Sequence, residues 1–71
     1  MTTAKQARAA LQKVHDDEPV FVLRAQDSLA ADLVELWAIH ARMAGCNNDK
    51  VRGAADIAEE MRRWPIRKIP D

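Results

Sequence analysis

The chain has 71 residues, with 11 basic and 11 acidic side chains, one cysteine and two histidines. That length permits one small domain spanning residues 1–71, whose core alone supplies no more than roughly 3–5 kcal/mol. A single cysteine excludes an intrachain disulfide, and one Cys with two His is too few for a structural zinc site, which takes three or four such ligands at close spacing.

A formal net charge of zero argues against binding that runs on an excess of cations, whether to nucleic acid or to a membrane surface. No apolar run approaches the roughly 20 residues of a spanning helix. Met1–Gln6 lacks the apolar centre of a signal peptide, so the expected location is the cytoplasm. Hydrophobic residues make up 48% of the chain, too many for disorder. Many are alanine, however, which buries little area. No cofactor is implied. Oligomerisation is the remaining stabiliser, and the expected oligomer is a homodimer.

The first predicted element is a short helix from about Thr3 to His15, within an N-terminal segment 1–17 that is expected to fray. Thr3 and Gln6 match a capping box. Ala7, Ala10, Leu11 and Val14 fall at helical spacing, but half of that stripe is alanine. Asp16, Asp17 and Glu18 oppose a helix C-terminus by the macrodipole. Together with His15 they suggest a hard-cation loop, yet the alternating ligands and turn glycine of a calcium loop are missing. Pro19 closes the segment.

Pro19-Val20-Phe21-Val22-Leu23 carries the strongest strand signal, β-branched and aromatic beside proline. A lone strand leaves its backbone unsatisfied. The segment therefore either lies across the helices or pairs with a copy of itself.

A second helix is predicted over about 28–44, capped by Asp27 or Ser28 and ended by Gly45 in the left-handed conformation. Its apolar arc runs through Leu29, Ala30, Leu33, Val34, Leu36, Trp37, His40, Ala41, Met43 and Ala44. Asp32, Glu35 and Arg42 share the other half with Ala31, Ala38 and Ile39. That arc is wider than one partner helix can cover, which points to a second contact surface.

A third helix is predicted over about 49–63, with Asn48 as its cap. Val51, Ala54, Ile57, Ala58, Met61 and Trp64 line one face, and Glu59 to Arg63 is a favoured pair. Gly53 costs up to about 1 kcal/mol inside a helix, and close approach of helix two would explain it. Pro65 ends the helix, and 65–71 reads as an extended basic tail that Ile66 and Ile69 tack onto the hairpin. The fold class is therefore all-α or nearly so: a short helix, an extended segment about 19–23, and an antiparallel helical hairpin.

Four phrases occur together: PVFVLRAQD from Pro19, Leu33-Val34-Glu35-x-Trp37-Ala38, Ala58-Glu59-Glu60-Met61-Arg62-Arg63-Trp64, and Lys68-x-Pro70-Asp71. This pattern resembles a family of small uncharacterised helical proteins encoded by phages and prophages of proteobacteria, over about residues 18–71. The resemblance implies no catalytic residues. It implies an accessory protein that binds a host protein and inhibits or redirects it.

The residues themselves support no enzyme. His40 sits in the apolar arc without an acidic or nucleophilic neighbour one turn away. Cys46 has no orienting base or oxyanion site marked for it. The expected interface residues, toward a partner or a second copy, are Phe21, Leu33, Leu36, Trp37, His40 and Trp64. Arg62, Arg63, Arg67 and Lys68 around Trp64 form a cationic patch for an acidic protein partner or phosphates.

The alternative to a protein-binding module is a small DNA-binding regulator. Ala41, Gly45 and Val51 reproduce helix-turn-helix spacing within about 37–56. Asp49 and Asp56 beside the would-be reading side chains Asn47, Asn48 and Arg52 make that a poor reader of DNA, so nucleic acid is the lesser expectation.

Overall fold

A computed structural model of the chain describes residues 3–70. It contains three helices: α1 (Ala4–Leu11), α2 (Ala30–Met43) and α3 (Asn48–Arg62). Met1, Thr2 and Asp71, which belong to the expected N-terminal and tail segments, lie outside the described residues.

α1 starts as the sequence predicts, with the Thr3 backbone N–H donating to Gln6 Oε1 at 2.9 Å. It ends at Leu11, one turn before the expected His15. The cause is a lack of support. None of its residues is buried, and it packs against neither α2 nor α3. A helix this short gains little without tertiary contact.

α2 and α3 form the predicted hairpin. The turn between them is a Schellman motif: Gly45 takes φ +86, the Cys46 N–H donates to the Ala41 carbonyl at 2.9 Å, and the Gly45 N–H to the Arg42 carbonyl at 3.1 Å. The motif is complete at Cys46, so Asn47 is the first residue free to cap. Its Oδ1 accepts from the Asp49 N–H at 2.8 Å, and Asn48, the expected cap, is instead the first helical residue.

The start of α2 also differs. Asp27 and Ser28 do not occupy the cap position, which falls to Leu29. The tail claims this stretch first. The Ser28 N–H donates to the Lys68 carbonyl at 2.8 Å, and the Lys68 N–H to the Gln26 carbonyl at 2.7 Å. These bonds make a parallel bridge between Asp27 and Lys68. Asp27 Oδ1 still accepts from the Leu29 N–H at 2.8 Å, closing the turn before the helix. The tail is thus held by its backbone, while Ile66 and Ile69, expected to tack it down, remain exposed.

The packing face of α2 departs most from expectation. Among the described residues the buried ones are Ala30, Ala31, Ala38, Val51 and Ala58. Ala31 and Ala38 lie in the half of α2 expected to face water. The leucines and Trp37, expected to supply the contact, are half exposed. Small side chains let the two helices approach closely, and Arg62 orients the pair by reaching Asp32 and Glu35, which flank the alanine stripe. Arg62 also takes Glu59 at 2.9 Å, displacing the expected Glu59–Arg63 pair.

Gly53 plays no part in this approach. A side chain there would meet nothing within 4 Å, so the helix contact runs through the alanines and Val51.

Candidate interaction surface

α3 behaves as an ordinary amphipathic helix. Val51 and Ala58 are buried, Ala54, Ile57 and Met61 are partly buried, and Arg52, Asp56, Glu59, Glu60 and Arg63 face water. α2 has no such polar back. Opposite its alanine stripe stand Leu29, Leu33, Leu36, His40 and Met43, all exposed. Leu33, Leu36 and Trp37 each keep 48% of their surface in water, and Met43 keeps 78%. At about 100° per residue Leu29, Leu33, Leu36, His40 and Met43 form one stripe on the side turned away from α3, and Trp37 stands on its flank, between that stripe and the buried Ala30.

A second apolar region lies on the link and tail. Val20, Phe21 and Val22 are exposed, Phe21 at 85%, as are Ile66 and Ile69. The 19–23 segment forms neither helix nor strand, and its Leu23 is partly buried while Val20, Phe21 and Val22 face water. Its backbone groups make no hydrogen bond among the described residues. Beside it, Val22, Arg24, Gln26, Asp27, Lys68 and Pro70 line an open recess of about 180 Å³. That is below the roughly 300–1,000 Å³ of small-molecule sites.

The expected interface residues therefore fall at three places. Leu33, Leu36 and His40 share the outward side of α2 with Trp37 on its flank, Phe21 stands on the link, and Trp64 is half exposed just beyond the end of α3. The sequence placed the leucines and Trp37 in one arc. The hairpin covers one edge of that arc, Ala30 with the partly buried Val34 and Ala41, and leaves the leucines outside.

The cationic patch is reduced by the fold. Arg62 is held by Asp32 at 3.0 Å, Glu35 at 2.5 Å and Glu59 at 2.9 Å. The hydrogen bonds it donates to Asp32 and then Glu35 push its pKa above even the usual arginine value. A raised pKa withdraws stability only as pH climbs through it, so this clasp is cationic at every working pH. Arg67 donates to the Ser28 carbonyl at 3.1 Å. Arg63 is exposed.

Among the described residues, no group of three or more His, Cys, Asp and Glu is placed to hold a metal ion. Cys46 is a partly buried free thiol within the turn. Among the described residues no helix is long and apolar enough to cross a membrane.

The α2–α3 pair touches from the turn to the far ends, where Arg62 meets Asp32. That is a lengthwise antiparallel hairpin, whereas a helix-turn-helix crosses its two helices at about 90–120°. Comparison with known proteins finds no family model, no curated protein and no solved structure that matches the chain.

Proposed function

We propose that this chain is a non-enzymatic protein–protein interaction module of the cytoplasm, acting as a homodimer on a protein partner. The observation that carries this reading is the outward stripe of α2, where the larger apolar residues face water and only small ones are spent on the fold.

Two bulk measures agree. A folded monomer of this 8.0 kDa mass exposes about 4,450 Å²; this chain exposes 6099 Å². Its radius of gyration is 12.8 Å, against about 11 Å for a compact domain of this length. Large exposed apolar patches mark interaction sites, and Trp, Phe and Arg commonly anchor them. The resemblance to phage and prophage accessory proteins supplies a context, in which the partner is a host protein that the module inhibits or redirects.

The DNA-binding reading draws less support. Arg62 and Arg67 are spent on groups within the chain, and the hairpin runs lengthwise. A pull-down from bacterial lysate, with and without nuclease, tests the choice. Wild-type bait is expected to enrich one protein regardless of nuclease, and a Phe21→Ser bait is expected to lose it. Enrichment that vanishes with nuclease overturns the reading in favour of nucleic acid.

A further inference from the structure

The outward stripe of α2 has a spacing of its own. Leu29, Leu33, Leu36, His40 and Met43 succeed one another by four, three, four and three residues. This is the seam of a left-handed coiled coil, maintained over two heptads. A helix that merely faces water has no reason to keep it, and α3, whose outer face is charged, does not. The seam carries no ionised carboxylate or ammonium. Its nearest charged flank, Asp32, is held by Arg62 within the chain.

We infer that the occupant of this seam is α2 of a second copy, packed antiparallel about a two-fold axis, so that two hairpins form a four-helix assembly with both α2 helices at its centre. This deepens the reading of the chain as an interaction module by assigning one of its two surfaces to self-association.

Three arguments select a second copy. First, a stripe built on the a and d positions fits another stripe of the same kind, and a two-fold pairing presents one to itself. Second, the area is sufficient. The chain exposes roughly 1,600 Å² more than a monomer of its mass should, about twice the 800 Å² per partner that a standard interface removes. That excess is spread over α1, none of whose residues is buried, the link, the tail and α2, whose stripe supplies the leucine and methionine share of it.

Third, the competing self-contact is too small. Pairing of the 19–23 segments would join two short strands, and an isolated two-stranded unit is marginal in water.

Direction follows from His40. A parallel pair stacks His40 on its own copy and aligns the helix dipoles. An antiparallel pair opposes the dipoles. In the two antiparallel registers that keep the seam and overlap the helices most, the residue opposite His40 is a leucine, either Leu36 or Leu29 of the partner subunit. The imidazole's apolar carbons then pack against an aliphatic side chain, and its nitrogens reach the wet edge of the seam. A single polar seam residue of this kind sets register.

Light scattering on the full chain across a concentration series is the test. Wild type is expected at twice 8.0 kDa. Leu36→Glu is expected at 8.0 kDa, with its dissociation constant raised at least about a hundredfold by a carboxylate forced into the seam. Leu36 makes no part of the alanine contact with α3, so helical circular dichroism should persist. If L36E loses its helices instead, Phe21→Ser supplies the comparison: it must leave the dimer intact.

Direction is read by oxidising Met43→Cys in a Cys46→Ser background, which should give no symmetric disulfide. A monomeric wild type overturns the inference, as does dissociation by Phe21→Ser with Leu36→Glu still dimeric, or efficient self-crosslinking at position 43. None of these removes a client captured regardless of nuclease, so failure here is distinguishable from failure of the module reading.

Discussion

α2 and α3 are neighbours of nearly equal length, 14 and 15 residues, and they use their apolar residues in opposite ways. α3 turns Val51, Ala58 and its partly buried Ile57 and Met61 inward and shows charge to water. α2 turns alanine inward and shows leucine, methionine and tryptophan to water. One helix completes its burial within the chain. The other completes only a thin contact and carries its main apolar surface on the outside. The difference teaches that apolar residues in a small helix need not mark its own core. Which face is the core depends on which face allows the closer approach.

The contrast can be broken most strongly at Leu36. Placing glutamate there is expected to cost about 3–5 kcal/mol of association, the cost of an unpaired buried charge, while Asp56→Ser on the back of α3 leaves the mass in solution unchanged. Light scattering reads both.

Ala38→Leu comes next. It adds apolar volume, yet it should destabilise the hairpin by about 1–3 kcal/mol because a close contact is overpacked. Urea denaturation at fixed protein concentration measures this, since a dimer's midpoint depends on concentration. Gly45→Ala forces a side chain into the left-handed region and should cost about 1–2 kcal/mol by the same measurement.

The smallest change runs the other way. Gly53→Ala, on the solvent side of α3 with nothing within 4 Å, should stabilise by up to about 1 kcal/mol. A loss there would show that helix two approaches the glycine after all.

Much of this fold was legible in the sequence, and the reasons are local. Gly45 could only end a helix, Thr3 and Gln6 could only begin one, and the face of α3 was written in its spacing. What escaped was tertiary. Side-chain size on α2 pointed to the leucine arc as the contact, because hydrophobic periodicity weighs burial and ignores closeness of approach. The alanine contact is fixed by a long-range pairing, Arg62 on Asp32 and Glu35, that no local spacing encodes.

The cap of α2 escaped for a similar reason. Asp27 and Ser28 are good capping residues, but a backbone bond from the distant Lys68 moved the helix start to Leu29. For the interface, the sequence named Phe21, Leu33, Leu36, Trp37, His40 and Trp64. It had no means of separating the α2 group from Phe21 on the link.

The central claim is that the outward face of α2 is covered by another copy of itself in solution. Trp37 stands on the flank of that face, next to Leu36 in the chain, where a second α2 packed on the seam would shield it. In a Trp64→Phe variant it is the sole tryptophan, and its accessibility to acrylamide can be followed by fluorescence over a dilution series. The account predicts a Trp37 shielded from the quencher when the protein is concentrated, exposed on dilution, and exposed at every concentration once Leu36→Glu is added. A Trp37 equally open to the quencher throughout, with or without that substitution, would contradict it.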